Sequence, residues 1–196
     1  MGRAGLRLLA FVCAGLAASP VLSSLACEAP PEVSLTHFDA KRMAKFDTSR
    51  DRGLAEAGQA QSSDDRAILA EIFVGEEKLT QLPDGRYRCR TIKLGGLLPL
   101  VIYNYFDCAV RDNGTTIEKL TGSQRFIGSL TPSGDALFYA GALHYGDEQP
   151  MAYGADADRD QVGCIVRISG EDEKYRLEMP APRRESTHDV IELVRR

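Results

Sequence analysis

Residues 136–145, ALFYAGALHY, decide the fold of this chain. Leu137, Tyr139, Leu143 and Tyr145 recur on one face at a period of two, the spacing of a β-strand with one side in a core. Pro132-Ser133-Gly134-Asp135 stands just before it, a tight-turn sequence, and a second β-prone run fills 123–131. The pair reads as a hairpin. The same texture runs outward from it. Strands are predicted at 86–94, 99–111, 115–121, 162–169, 173–179 and 189–194, with turns at Asp112-Asn113-Gly114 and Gly170-Glu171-Asp172. Leu100, Ile102, Phe106, Cys108 and Val110 make one face of the second strand, and Val162, Cys164, Val166 and Ile168 one face of the sixth. Such alternation predicts one face buried and one wet. Eight short strands with close turns favour closure, which removes exposed edges. Gly122, Gly128 and Gly141 supply the bends that curvature needs. The expected fold is mainly β (α+β): an antiparallel meander curled into a small β-barrel, preceded by an N-terminal helical hairpin.

The segment before the strands divides in three. Arg3 and Arg7, the apolar run Leu8 to Leu16, the Ser19-Pro20 break and Ser24-Leu25-Ala26 read as a signal peptide over residues 1–26. Its apolar run is too short for a transmembrane helix, and no later run approaches that length. Residues 27–35, with Ala29-Pro30-Pro31, read as an extended tether. Cys27 directly after the proposed cut opens a second use, a lipid anchor, although Ser24 and Leu25 reverse the usual small-residue pattern. Residues 36–74 read as helical, packing on the barrel. Thr36 caps a helix with Asp39 at its third position, and Ser62 or Ser63 caps a second with Ile68, Leu69, Ile72 and Phe73 on its apolar face. The antiparallel β domain then spans 84–196. Periplasmic or secreted localisation follows from this reading.

Composition narrows the partners. Loss of residues 1–26 removes two arginines and moves the formal charge from −4 to −6. An acidic chain whose basic residues are scattered argues against nucleic acid. Arg86, Arg88 and Arg90 only alternate along one strand.

Four stretches carry a resemblance. They are Tyr87-Arg88-Cys89-Arg90-Thr91-Ile92-Lys93-Leu94-Gly95, Lys119-Leu120-Thr121-Gly122-Ser123-Gln124-Arg125, Asp160-Gln161-Val162-Gly163 and Glu185-Ser186-Thr187-His188-Asp189-Val190-Ile191-Glu192-Leu193. Over about residues 60–194 the chain resembles the exported proteobacterial domain-of-unknown-function family 4893. It departs at Cys164-Ile165-Val166 and at His188, where that family's pattern is aliphatic or acidic. The resemblance implies an exported domain and transfers no mechanism.

Candidate chemistry is sparse. Cys89 and Cys108 lie in consecutive predicted strands around Gly95-Gly96, and a bulge or ragged loop would bring them to disulfide distance. Asp156, Asp158 and Asp160 have the one-three-five spacing of a calcium loop, but Gln161 and Arg167 stand where Gly and Glu belong, so a metal is not expected. Three histidines lack zinc-ligand spacing, and no cofactor motif is present. A hydrolase triad assembles on paper from Ser123 or Ser186, His144 or His188 and an Asp, with no nucleophile elbow to support it. More informative are Lys119, Ser123, Gln124, Arg125, Glu185, Ser186 and Asp189. They converge if the last strand closes against the strands at 115–121 and 123–131. They then form either an anion or sugar site at the barrel mouth or a hydrogen-bonded closure. Tyr103, Tyr105, Tyr139 and Tyr145 are candidates to line a ligand cavity or to form plain core.

The leading functional reading is an exported, non-catalytic binding or structural envelope protein. The alternatives are an enzyme of unassigned type built on Lys119, Arg125 and Glu185, and an inhibitor of a secreted hydrolase presenting the loop 147–160.

Overall fold

The computed structural model describes Met1 and residues 27–146 and 148–196; the expected leader at 2–26 lies outside the described residues. In chain order the elements are α1 (His37–Met43), α2 (Phe46–Ala57), α3 (Ser63–Ile72), β1 (Glu76–Glu77), β2 (Gly85–Leu94), β3 (Leu100–Ile102), β4 (Phe106–Arg111), β5 (Thr116–Lys119), β6 (Gln124–Ser133), β7 (Ala136–Tyr145), β8 (Asp160–Ile168), β9 (Lys174–Pro180) and β10 (His188–Arg195). Strand β2 and strands β4 to β10 close into an eight-stranded antiparallel barrel, with β1 on the edge of β8 and β3 paired to the far end of β2. The last strand closes on β2 and β9, not on β5 and β6 as the sequence suggested. Closure therefore sets Asp189 opposite Lys93.

The predicted strand at 99–111 is two strands, and the break changes which way its residues face. Ile92 is opposite Ile102, whereas Cys89 is opposite Phe106. Arg90 and Thr91 thus span the same interval as Tyr103, Asn104 and Tyr105. One extra residue flips every side chain beyond it to the other face. Phe106, Cys108 and Val110 point into the barrel, while Leu100 and Ile102 pack outside it with Ile92, Leu94 and the helices. The single five-residue face expected from the sequence does not exist. The bulge also brings Cys89 and Cys108, diagonal neighbours, to a Cα separation of 5.8 Å, and they form a disulfide.

The helical segment is three helices instead of two. Thr36 caps α1, accepting from the Asp39 amide at 3.2 Å, and Ser62 caps α3, accepting from Asp65. The first helix breaks at Ala44-Lys45. Asp39 and Arg42 are buried there, which explains the weak apolar stripe in the sequence. Gly53 lets α2 lie directly on the sheet: a Cβ there would sit 2.9 Å from His188 Cβ and 3.1 Å from Leu94 Cβ.

Residues 27–35 are a strap rather than a free tether. Cys27 is bonded to Cys164 on the outer face of β8, across 137 residues, and Ala29, Val33 and Leu35 pack on Phe138, Ala140 and Val162. Strap and helices therefore cover the outer wall of β7 to β10. The predicted wet face is dry there, and both faces of β9 are buried except at Lys174.

Under α2 and α3 that covered wall holds an ionic cluster. Glu178 accepts from Arg50 Nε at 2.7 Å and Arg176 Nε at 2.6 Å, and lies 3.0 Å from His188 Nε2. Arg176 also reaches Glu76 and the Ile72 carbonyl. Inside, the barrel is filled at one end. Leu79 and Leu82 plug it against Tyr87, Ile117, Leu137 and Tyr175. The other end is open.

Candidate functional site

The open end holds a cavity of about 390 Å³. Its floor is apolar, made by Phe126, Leu143, Met179 and Ile191. Its walls are polar because the inward-facing positions change character toward the strand ends. On β2 the inward series Tyr87, Cys89, Thr91, Lys93 runs from plug to mouth, and on β10 Leu193, Ile191, Asp189 does the same.

Lys93 Nζ is 3.0 Å from Glu185 Oε2 and 3.8 Å from Asp189 Oδ2. Burial alone would lower the Lys93 amine, but Asp189 and Glu185 outweigh it and hold it above the ordinary lysine value. Asp189 accepts from Ser186 Oγ at 2.5 Å. Burial raises its carboxyl in spite of Lys93 and that hydrogen bond.

Lys119 is different. It is the last residue of β5, only 6% exposed, and its ammonium lies over the Phe106 ring at 4.1 Å. Among the described residues no carboxylate pairs with it. The following turn explains its surroundings. Gly122, at φ 92°, lets the Phe106 ring approach to where a Cβ would lie 2.9 Å away, and its carbonyl accepts from Arg125 Nε at 3.0 Å. The Arg125 guanidinium is thereby folded back toward Lys119. Burial, with that second cation, pushes the Lys119 amine down to about 8.

Arginines frame the rim. Arg42 donates to the Asp160 carbonyl at 2.9 Å, Arg183 lies over the Phe38 ring and pairs with Asp158 at 3.5 Å, and Arg159 pairs with Glu148. Arg184 also lines the mouth, with no carboxylate partner among the described residues.

Of the seven residues singled out from sequence, Lys119, Gln124, Glu185 and Asp189 line this cavity. Ser186 stands behind Asp189. Ser123 and Arg125 belong to the β5–β6 turn, where Ser123 accepts from the Gly146 amide through its carbonyl. Glu185 is exposed and bound to Lys93, so Lys119, Arg125 and Glu185 form no common ion pair. Lys93, Arg42, Arg183 and Arg184 were not singled out. For Lys93 the signal was available, since it shares the parity of Tyr87, Cys89 and Thr91.

The calcium-spaced Asp156, Asp158 and Asp160 also line this cavity, and the other candidates are spread over the barrel. Asp156 Oδ1 accepts from the Asp158 amide, Asp158 meets Arg183, and Asp160 Oδ1 accepts from the Gly154 amide. Among the described residues no group of three His, Cys, Asp or Glu side chains is arranged to hold a metal. Tyr139 is buried in the barrel and Tyr145 is at the mouth, but Tyr103 is exposed and Tyr105 lies outside beneath Arg88 and Arg90. The loop expected to be presented, 147–160, is held down: Tyr153 donates to Asp39 Oδ2 at 2.7 Å and accepts from the Thr36 amide. A serine, histidine and acid do stand in line, but as Ser49, His188 and Glu178. They are sealed under Phe46, and Ser49 Oγ already donates to the Thr187 carbonyl and accepts from Ala181. That line is a clamp between α2 and β10.

Fold and site together define a closed antiparallel barrel with one plugged end and one polar mouth lined by both cations and carboxylates. The family model described as "Domain of unknown function (DUF4893)" matches residues 32–193, and the chain belongs to that family. The match takes in the three helices as well as the barrel. No curated protein and no solved structure matches the chain.

Proposed function

We propose that this protein is an exported, non-catalytic binding domain that takes a small organic anion into the mouth of its barrel. The observation that carries this reading is Lys119, a buried cation facing a cavity and left without a carboxylate among the described residues. Buried charges are normally paired, so a missing counter-charge at a concave site is a place for a ligand's own. The apolar floor suits a hydrocarbon body behind the anionic group. Export is supported by the leader-like residues 1–26 and by two disulfides, which persist in oxidising compartments.

Benzoate, acetate and inorganic phosphate test the reading by thermal shift. Ligand bound to the folded state alone raises its stability by mass action. Benzoate is expected to raise the melting temperature of the wild type, and to raise that of Lys119→Met and Arg184→Gln much less. Equal shifts in all three proteins, or none in the wild type, overturn it.

A further inference from the structure

We propose that the ligand carries a carbonyl group as well as an anionic one, an aldehyde acid or oxo acid, and that Lys119 holds it as a reversible imine. This rests on the anion-binding reading above. Among the described residues, Lys119 is the one lysine lining the mouth that no carboxylate restrains: Lys93, in the same cavity, is bound to Glu185 and Asp189. An ammonium locked in an ion pair has no lone pair to give. Lys119 instead sits against the Phe106 ring in the layer of the Cys89–Cys108 disulfide, being opposite Cys108, with Arg125 as its near charge. An apolar surround and a neighbouring cation are the two means by which lysines are made nucleophilic. At an amine value of about 8, a large share is neutral under mildly basic conditions.

The step balances without a redox partner. The amine lone pair attacks the carbonyl carbon, and the C=O π pair moves to oxygen, which takes a proton. The nitrogen then loses its protons and the hydroxyl leaves as water, giving C=N. Addition of water reverses the sequence. The open mouth supplies and removes the protons and the water. The ligand's carboxylate is left to Arg184, the rim guanidinium with no carboxylate partner among the described residues.

The experiment uses the folded, disulfide-intact protein at pH 8 with 4-formylbenzoate and sodium cyanoborohydride, followed by peptide mapping. Lys41 and Lys45 are exposed and serve as internal controls. An ordinary exposed lysine is less than about 1% neutral at this pH. Lys119 is expected to be labelled at least about tenfold faster than the two controls, benzoate is expected to slow it, and Lys119→Arg is expected to lose the adduct. Uniform or absent labelling with the benzoate shift intact overturns the imine and leaves the anion reading standing. Absence of both labelling and shift overturns both.

Discussion

His188 Nε2 lies 3.0 Å from Glu178 Oε2, and both side chains are sealed from solvent. The pair joins the two last barrel strands, and Arg50 ties it to α2. It is an ionic seam under a helix, remote in kind from the open, hydrated mouth.

Glu178→Gln is expected to cost about 3 kcal/mol, because it removes the buried one of the two carboxylates, Glu178 and Glu76, that Arg50 and Arg176 share. Burial alone would raise the Glu178 carboxyl, but Arg176, His188 and Arg50 hold it well below the usual carboxylate range. A group with a lowered folded value contributes stability that is fully present above the unfolded value, about pH 4.3, and that is lost as pH falls toward the folded one. Urea titrations between pH 7 and pH 3 should therefore show a flatter acid limb in the variant than in the wild type. Parallel limbs would remove Glu178 from the seam.

Non-reducing peptide maps are expected to contain Cys27–Cys164 and Cys89–Cys108 and no other pairing among these four cysteines. Cys89 and Cys108 are inside the barrel, whereas Cys27 is half-buried on its outer wall, so mild reductant should open the strap first. Replacing Cys164 with Ser is expected to cost about 2–5 kcal/mol and to make residues 27–35 a protease target, with the barrel still folded. A lipid thioether at Cys27 would need the same sulfur, so an intact mass carrying diacylglycerol would exclude that bridge in the same molecule.

Arg125→Ala and Glu185→Gln are expected to be additive in urea denaturation, within about 0.3–0.5 kcal/mol. Arg125 is spent on the Gly122 carbonyl, and Glu185, its side chain 48% exposed, on Lys93. The Glu185 change alone should cost no more than about 1 kcal/mol, as exposed pairs do. A coupling of more than about 1 kcal/mol would mean that the two meet.

The strands and their turns were legible in the sequence because period-two alternation and turn residues are local properties. Residues 136–145 and the turn before them form as read, Thr36 caps as read, and of Ser62 and Ser63 the first is the cap, since a cap needs only a side chain and an amide three residues away. The candidate mouth was legible in part. Lys119, Gln124, Glu185 and Asp189 drew notice as polar residues in specific stretches, but which of them would be left unpaired depended on distant turns.

Three things only the tertiary structure decided. One extra residue at 103–105 turned Leu100 and Ile102 outward; Asn104 interrupts the apolar alternation there, but the same parity resumes beyond it, so the sequence does not show that the face has switched. Cys27 met Cys164, Ser49 met His188 and Arg50 met Glu178, across more than a hundred residues in each case. Barrel closure on β2 instead of β5 and β6 set Asp189 beside Lys93 and left Lys119 with no carboxylate among the described residues. By itself the sequence determined how each short segment bends and which side of it is apolar, because those follow from neighbours along the chain. Which strands meet at the seam, and so which charges neutralise one another at the mouth, is a property of the closed ring as a whole.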